Sequence, residues 1–355
     1  MPTTNIMGIP HNRPLLSEED IDAVVTSIRS QWIAPGAEIA AFEAAFEKRW
    51  GGGKACAVSS GTAALYIALK GLGVDGGARV ALPTYACSAL LNAVAFAGGT
   101  PVLVDVREDD FCIDADAAAA TGARHVVAVH TFGALADIKS LKRAGMIVVE
   151  DCCHGLGGTC NGRPIGDVGD AAIFSFYATK IITCGQGGLV WDRRGAVGAY
   201  AADFIHCDGR QDWKPRFNLH LTDFQGAMLR RQFDRLPEIA ARRRAIVARY
   251  AGALPAGLSR QRGVDGLEPI PYRFVVRCRD ARERGRLSDH LATANITTII
   301  PIERFELLHR YLNQDPSVLP VAERLADTTL SLPLYPALSD AEVDAICAAL
   351  CKFKV

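Results

Sequence analysis

The sequence has no excess of charge of either sign. Lysine and arginine together number 39, and aspartate and glutamate also number 39, among 355 residues. A protein that binds nucleic acid or a charged membrane surface usually carries a surplus of basic side chains. The balanced charge therefore favours a protein that acts on small molecules, with no nucleic acid and no membrane as partner.

Long hydrophobic runs are absent too. No uninterrupted apolar stretch approaches the ~18 residues that a membrane-spanning helix requires. The N-terminal segment MPTTNIMGIPHNRPLL does not place a basic region before an apolar one, as a secretory signal peptide does. We therefore expect a cytoplasmic protein.

Disulfide and zinc-ribbon spacings are missing as well. The eleven cysteines are an odd number and include no CxxC pair, so we expect reduced thiols in a reducing compartment. One group of residues could ligate a metal: Cys152, Cys153, His154 and Cys160. Adjacent residues at the end of a strand project to opposite faces, so the two neighbouring cysteines cannot both reach one ion without a break in the strand. We expect no metal site, and a metal-binding or non-catalytic protein is the alternative from a different class.

The residues that are present predict an α/β fold. Between residues 54 and 192, short β-like runs alternate with helical stretches; the runs are KACAVS, RVALP, PVLVDV, HVVAVH, MIVVE, AAIFSF and GLVWD. This alternation is typical of a mostly parallel sheet with helices on both faces. Later residues add helices, the strand-like runs YRFVVRC and ITTII, and a last helix, SDAEVDAICAALCKF. We predict a large domain over residues 1–240 and a small C-terminal α+β domain over residues 241–355.

Three features follow predicted strands at their carboxyl ends, where ligands collect in an open α/β sheet. The first is SSGTAAL, residues 59–65, in which Gly61 and Thr62 begin a helix directly after a strand. Free backbone N–H groups and the helix dipole favour an anion such as a phosphate there. An ordinary capped turn has the same pattern, so the segment indicates a phosphate site only together with the other two features.

The second feature is a carboxylate and the third is a lysine. Asp151 and His154 follow the apolar strand of VVEDCCH, and Lys180 follows AAIFSFYAT, five residues after Ser175. A lysine ammonium is seldom buried unless a partner pairs with it or removes its charge. Taken alone, Lys180 also fits a structural lysine in an ion pair.

In this order, a phosphate cradle, an acid at a strand end and a lysine suit pyridoxal 5′-phosphate (PLP). The lysine forms a Schiff base with the aldehyde, the aspartate holds the pyridine nitrogen protonated, and the helix start with Ser175 binds the phosphate. A free lysine with a pKa of about 10.4 is less than about 0.1% neutral near pH 7. The Schiff base removes that charge, which explains a lysine at this position.

These residues lie in segments that resemble the DegT/DnrJ/EryC1/StrS aminotransferases, PLP-dependent enzymes of fold type I that mostly aminate keto sugars attached to nucleotides. VVEDCCHGLGGTCNGRPIGDVGDAAIFSFYATK resembles the family's segment up to the Schiff-base lysine. Other similar segments are QWIAPGAEIAAFEAAF, SSGTAALYIAL, PTYACSALLNAV, GGTPVLVDV, FNLHLTDFQGAM and LSLPLYPALSDAEV. The resemblance covers roughly residues 12–350.

The resemblance implies catalytic roles for three residues. Lys180 would form the Schiff base and later shuttle the proton. Asp151 would face the pyridine nitrogen, and His154 would lie near the ring or its phenolic oxygen.

The resemblance also implies how the cofactor is bound. Ser175 and the backbone of Gly61 and Thr62 would bind the phosphate. Asn218 would reach the phosphate of a neighbouring subunit, which implies a homodimer with shared active sites.

Several positions depart from the family's pattern. Cys87 stands where the family usually has an aromatic residue stacked on the cofactor; either Tyr85, two residues earlier, replaces it or the stack is absent. Gln186 stands in place of a glutamate, His220 in place of an arginine, and ITTIIPIERF lacks the usual histidine and tyrosine before proline.

The implied activity is a ping-pong aminotransfer from an amino-acid donor such as glutamate to a ketone, most often a nucleotide-linked keto sugar. A PLP enzyme of the same fold that acts on a non-nucleotide ketone such as a keto cyclitol is an alternative. A PLP-dependent dehydratase is another, although dehydratases that resemble this chain have histidine in place of Lys180. The lysine therefore favours transamination.

Overall fold

A mixed sheet forms the centre of the fold. The computed structural model describes residues 8–263 and 266–355. In these residues the strands are β1 (Lys54–Val58), β2 (Arg79–Pro83), β3 (Thr100–Val104), β4 (His125–Val129), β5 (Ile147–Asp151), β6 (Thr159–Cys160), β7 (Arg163–Pro164), β8 (Ala171–Ser175), β9 (Gly188–Asp192), β10 (Ser259–Arg260), β11 (Leu267–Glu268), β12 (Phe274–Arg277) and β13 (Thr329–Leu332).

Helices surround the sheet. They are α1 (Glu18–Arg29), α2 (Ala37–Arg49), α3 (Gly61–Gly71), α4 (Ala89–Ala97), α5 (Ala115–Ala120), α6 (Ile138–Arg143), α7 (Ala196–Ile205), α8 (Asp223–Asp234), α9 (Leu236–Ala253), α10 (Ala281–Thr293), α11 (Leu308–Tyr311), α12 (Pro320–Thr328) and α13 (Asp340–Lys352), with 3₁₀ helices at Thr131–Gly133, Arg304–Glu306 and Pro316–Val318. Within the described part of the chain, none of the helices is both long and apolar enough to cross a bilayer.

The large sheet has the strand order β1-β9-β8-β5-β4-β2-β3. β9 is antiparallel to both of its neighbours, and the remaining neighbouring pairs are parallel. β4 is buried along its whole length, as expected for a central strand covered by helices on both faces. The prediction of an α/β fold with a mostly parallel sheet is confirmed.

Local signals in the sequence set the ends of the first helices. The Ser17 hydroxyl accepts the N–H of Asp20, and the Asp20 carboxylate accepts the N–H of Ser17, so the two residues form a capping box at the start of α1. The chain leaves α2 through residues 51–53, three glycines with φ of +74°, +111° and +85°. Glycine adopts this left-handed conformation without a steric cost.

The two faces of the sheet carry separate hydrophobic clusters, which follow from the two-residue period of a strand. On β8, Phe174 packs on one face against Phe46 of α2 and against Trp50, which directly follows that helix and stacks on Phe46 at 4.0 Å. Ile173 faces the opposite side, where it joins the apolar residues of α3, α4 and α7. Apolar side chains cover both faces of the sheet, so the polar residues of the strands lie at the strand ends.

The C-terminal residues combine helices with the antiparallel sheet β10-β12-β13. The run ITTII was predicted as a strand, but it makes only isolated bridges, from Ile296 to Ile9 and from Ile299 to Ser331. Asn295, at φ +57°, ends the preceding helix, and the short run then pairs with two different partners, so no continuous ladder forms. The division of the chain at residue 240 falls within α9 and stays a prediction.

Candidate active site

A cavity of about 450 Å³ opens at the carboxyl ends of β4, β5 and β8. Its size lies within the usual range for small-molecule sites. The parallel sheet brings to this one place eight predicted site residues, which are Gly61, Thr62, Tyr85, Cys87, Asp151, His154, Ser175 and Lys180. A larger groove, of about 880 Å³, lies on the surface between α1, α2 and α8, and none of the predicted site residues line it.

The start of α3 offers backbone N–H groups to the cavity. The Ser60 hydroxyl accepts the N–H of Ala63 at 3.1 Å, and the Ser60 carbonyl accepts the N–H of Ala64 at 2.9 Å. Within the described residues, the N–H groups of Gly61 and Thr62 have no acceptor. Two free donors at the positive end of a helix dipole are what a phosphate requires.

Gly61 permits a close approach between α3 and the end of β8. A Cβ at this position would lie 2.9 Å from Cβ of Ser175 and 3.4 Å from Sγ of Cys153. The absence of a side chain therefore leaves the Ser175 hydroxyl beside the free N–H groups. The donors present at this end of the cavity fit the phosphate of PLP.

Asp151 places a carboxylate in the cavity near the ammonium of Lys180 but outside ion-pair distance of it. The residue is only 6% exposed, and its Oδ1 accepts the N–H of Cys153 at 3.0 Å. Among the described residues, no lysine or arginine forms a salt bridge with it. A buried carboxylate calls for a positive partner, and a protonated pyridine nitrogen supplies one. The residue fits this part of PLP.

Lys180 is half-buried beside an aromatic ring. Its Nζ lies 5.0 Å from the centre of the Tyr272 ring. Burial alone would lower the pKa of Lys180, but the acidic groups around it, Tyr272 first and Asp151 among them, raise that pKa above its ordinary value. The pKa of Tyr272, which burial would raise, is lowered by the positive charges of Lys180 and Arg273. The free amine is therefore a cation, and linkage to an aldehyde is needed to remove its charge.

The surroundings of His154 fix its protonation. Its ring stacks on that of Tyr272 at 4.1 Å, and its Nδ1 accepts the N–H of Phe132 at 3.3 Å. Burial, together with the positive charges of Lys180 and Arg273, holds the pKa of His154 well below its ordinary value. The imidazole is therefore neutral with its proton on Nε2, so it is a hydrogen-bond donor.

Tyr85 and Cys87 occupy different depths of the wall. Tyr85 is 0% exposed, with its ring against Phe111 and Phe132 and its hydroxyl 3.0 Å from Oγ1 of Thr329. Cys87 is exposed at the cavity. Which of the two faces the cofactor ring stays a prediction.

Asn218 is the predicted site residue that the fold does not bring to the cavity. It lies on the segment between α7 and α8, and its side chain is exposed. This position is compatible with a role at another subunit, which stays a prediction.

Sequence reasoning missed several residues of the cavity wall, among them Phe132, Tyr272 and Arg273. Tyr272 and Arg273 directly precede β12 and reach the site through tertiary packing. The signal available for them was PYRFVVRC, an aromatic residue and an arginine before a strand. Phe132 has φ +55°, a conformation that is rare for an aromatic residue and typical of functional sites, and nothing in the sequence marks it.

The potential metal ligands of the described residues belong to a different set from the predicted one. His130, Glu150 and Cys152 have ligand atoms within 4.8 Å of one another. The Glu150 carboxylate already accepts the Nε2–H of His130 at 3.0 Å and three backbone N–H groups of residues 166–169. These hydrogen bonds satisfy the buried carboxylate and explain the cluster as a structural one.

The class of protein is a PLP-dependent enzyme of fold type I. Its mixed sheet brings together at one cavity a helix N-terminus with free N–H groups, a buried aspartate and a lysine. A model of the DegT/DnrJ/EryC1/StrS aminotransferase family matches residues 14–351. The chain belongs to this family and is a PLP-dependent aminotransferase.

Solved structures of related proteins have the same fold. An aminotransferase, TlmJ from Streptoalloteichus hindustanus, is 29% identical with a TM-score of 0.89, over 96% of this chain and 97% of that one. DesV from S. venezuelae, solved with a ketimine intermediate, is 29% identical with a TM-score of 0.87, over 94% of both chains. Spr1654 from Streptococcus pneumoniae in its PLP form is 25% identical with a TM-score of 0.89, over 97% of both chains.

Proposed function

We propose that the protein transfers the amino group of an α-amino acid, glutamate, to the ketone of a nucleotide-linked keto sugar. The observation that carries the proposal is the meeting of Lys180, Asp151 and the start of α3 at one cavity. The choice of a sugar is supported by the family and by neighbours such as CalS13 from Micromonospora echinospora, described as a sugar aminotransferase.

Each side chain of the cavity has a separate proposed role in the reaction. PLP supplies an aldehyde that exchanges amines and a ring that withdraws electrons from the reacting carbon. Lys180 would hold the aldehyde, and its amine would be the group that accepts and returns a proton at Nζ. Asp151 would stabilise a protonated ring nitrogen by its charge. His154, whose Nε2–H is a donor, would lie near the ring or its phenolic oxygen.

Binding and orientation come from the backbone. The N–H groups of Gly61 and Thr62 and the hydroxyl of Ser175 would hold the phosphate. No described residue accepts a hydrogen bond from either N–H group, and the Ser175 oxygen takes part in only one long hydrogen bond among the described residues. The phosphate donors and the Asp151 carboxylate would together orient a bound cofactor ring.

We also propose that the active form is a homodimer with shared sites. Asn218 is flanked by exposed aromatic side chains, Phe217 at 62% and Trp213 at 90% exposure. Large apolar side chains grouped at a surface are typical of protein interfaces. A second copy that covers them would carry Asn218 to the phosphate of its neighbour.

A substrate screen tests the proposed reaction. Protein loaded with PLP is supplied with glutamate, glutamine, aspartate or alanine, and with nucleotide-linked keto sugars or keto cyclitols. We expect 2-oxoglutarate and an amino sugar in equal amounts from glutamate and a nucleotide-linked ketone, and none with Lys180→Ala. Amination of cyclitols alone would contradict the choice of acceptor, and a donor other than glutamate would contradict the choice of donor.

A further inference from the structure

Arg273 is a positively charged residue of the cavity wall with few hydrogen-bond partners among the described residues. It is half-buried, and its Nε is buried without a hydrogen-bond partner among the described residues. Its Nη1 donates one long hydrogen bond, 3.4 Å, to Nε2 of His11. Its guanidinium lies 5.2 Å from the centre of the Tyr272 ring and 5.8 Å from that of Phe132.

A second arginine, Arg243, also has a buried Nε without a hydrogen-bond partner among the described residues, and it differs from Arg273 in the acceptors of its Nη1. Arg243 is 2% exposed, and its Nη1 donates to the carbonyls of Pro271, Tyr272 and Leu334. These bonds hold the chain that leads into Arg273. Arg273 itself has a neutral imidazole and two aromatic faces, and the described residues provide no carboxylate within ion-pair distance. A planar fork of N–H donors in this state is suited to a carboxylate ligand.

The two carboxylates of the cavity wall have other partners and form no ion pair with Arg273. Asp151 accepts the N–H of Cys153 and is proposed to face the ring nitrogen. Glu306, at the cavity wall, accepts the N–H of Glu303 at 2.9 Å. With Lys180 linked to PLP, Arg273 would be the remaining lysine or arginine among the described residues that line the cavity, and it also lines a smaller cavity of about 130 Å³ together with His11.

Arg273 and Lys180 both lie against one aromatic ring of the cavity wall. Nζ of Lys180 and Cζ of Arg273 each lie about 5 Å from the centre of the same ring, that of Tyr272. An amino donor that replaces Lys180 carries its α-carboxylate two bonds from the nitrogen. The diphosphate of a nucleotide-linked sugar lies across the sugar ring from its ketone and is further from that point. We propose that Arg273 binds the α-carboxylate of the amino donor, an inference that rests on the proposed function.

Single-turnover reactions of the PLP-loaded enzyme test this role. Arg273→Gln and Arg273→Lys are compared with Arg277→Gln, a control on β12 whose guanidinium bonds to Glu108 instead. Conversion of the PLP form to the pyridoxamine phosphate form is followed by absorbance with glutamate, its α-amide, glutamine and benzylamine. We expect Arg273→Gln to raise the half-saturating glutamate concentration by about 10- to 100-fold, the loss of a charge-assisted hydrogen bond. For Arg273→Lys we expect a half-saturating glutamate concentration between those of wild type and Arg273→Gln. We expect Arg277→Gln to match wild type with glutamate, and all variants to match wild type with benzylamine.

The pattern across donors decides between explanations. Wild type is expected to prefer glutamate to its α-amide, and Arg273→Gln to lose that preference. Equal slowing with glutamate and benzylamine would show a structural residue and overturn the inference. Loss of preference against glutamine alone would assign Arg273 to the side-chain carboxylate. In steady-state assays with both substrates, a raised KM for the nucleotide-linked keto sugar and an unchanged KM for glutamate would assign Arg273 to the acceptor. Either of these last two results would overturn the proposal.

A binding measurement separates this inference from the proposed function. Glutarate has two carboxylates and no amine, so it binds without reacting. We expect Arg273→Gln to weaken glutarate binding to the PLP-loaded enzyme about tenfold or more by calorimetry. If wild type converts no amino acid, the proposed function is wrong, and equal glutarate affinity of the two proteins would then overturn the role of Arg273 as well.

Discussion

At the scale of single residues, the site depends on buried polar side chains and on their immediate neighbours. Asp151 is buried and accepts one backbone N–H. Burial, together with the positive charges of Lys180 and Arg273, keeps the pKa of His154 well below its ordinary value, and the Nδ1 of His154 accepts the N–H of Phe132. Two substitutions, one at Asp151 and one at His11, test the effect of such burial.

The first concerns Asp151→Asn. An amide cannot stabilise a protonated pyridine nitrogen, so the ring becomes a poorer electron sink. We expect the half-reaction with an amino donor to slow by a hundredfold to several thousandfold, a loss of about 3–5 kcal/mol of transition-state stabilisation. The measurement is single-turnover absorbance on folded, PLP-loaded protein.

The matched control is Asp192→Asn. Asp192 is also a buried aspartate at a strand end, 2% exposed, and its Oδ1 accepts the N–H of Gly198. It lies outside the cavity, so its substitution should lower stability and leave the half-reaction of the folded enzyme unchanged. A rate for Asp151→Asn within threefold of wild type would remove Asp151 from the mechanism.

The second concerns the dependence of stability on pH. Burial, and then the nearby Arg273, lowers the pKa of His11 to about 3 from 6.5. Between these values the unfolded chain binds a proton that the folded chain does not, so the free energy of unfolding falls as the pH falls. We expect this residue to account for roughly 1–2 kcal/mol of stability lost between pH 7 and pH 5.

His11→Gln tests this contribution, with His290→Gln as a control histidine on α10. Urea unfolding is measured at pH 7 and at pH 5. His11→Gln should lose less stability on acidification than wild type by about the amount given above. If both variants and wild type lose the same amount, burial of His11 does not shape the acid response.

The sequence could predict residues that lie next to their own strand ends. Asp151, Ser175 and Gly61 follow or precede apolar runs, so their place at the edge of a parallel sheet follows from the sheet itself. Tyr272 and Arg273 lie some 90 residues after Lys180 in the sequence, on a segment that packs against the cavity. The residues around them do not predict this packing, so the two could be placed in the site only from the three-dimensional structure.

At the scale of elements, the start of α3 is the element that we propose binds the phosphate of the cofactor. Gly61 begins the helix, Ser60 caps it, and Ser175 at the end of β8 lies against the first turn. The predicted strands of the large sheet all formed because their apolar runs fill both faces of a covered sheet. ITTII did not, because its pairing depends on distant partners and not on its own pattern.

Gly61→Ala is the prediction for this element. The added Cβ would lie 2.9 Å from Cβ of Ser175, which must then move away from the free N–H groups. We expect the dissociation constant for PLP to rise about tenfold or more, the loss of at least one charge-assisted hydrogen bond. The measurement is fluorescence titration of the cofactor-free protein with PLP.

Gly76→Ala is the control, because a Cβ there meets nothing within 4 Å and its φ is not positive. Its PLP affinity and stability should match those of wild type. If Gly61→Ala binds PLP as tightly as the control, the start of α3 does not hold the phosphate.

At the scale of the whole molecule, the proposed homodimer would build each complete site from two subunits. The cavity of one chain holds eight of the predicted residues, and Asn218 lies outside it on an exposed segment. Two separately inactive variants, Lys180→Ala and Asn218→Ala, should therefore complement each other. A mixed dimer has one site with both changes and one with neither, so random exchange restores about a quarter of wild-type activity.

The mixing experiment needs evidence of exchange. Differently tagged subunits that copurify after mixing show that mixed dimers exist, and activity is then measured on the same sample. Exchange without any recovered activity would show that each site is built from one chain.

The central claim is that Lys180 carries the cofactor, and borohydride reduction tests it most directly. Protein mixed with PLP is expected to turn yellow, and reduction should bleach the colour and fix the cofactor to the protein. Peptide mapping by mass spectrometry should find the label on the peptide that contains Lys180, and Lys180→Ala should bind PLP without becoming labelled. A label on another lysine, with Lys180 unmodified, would contradict the account of the site.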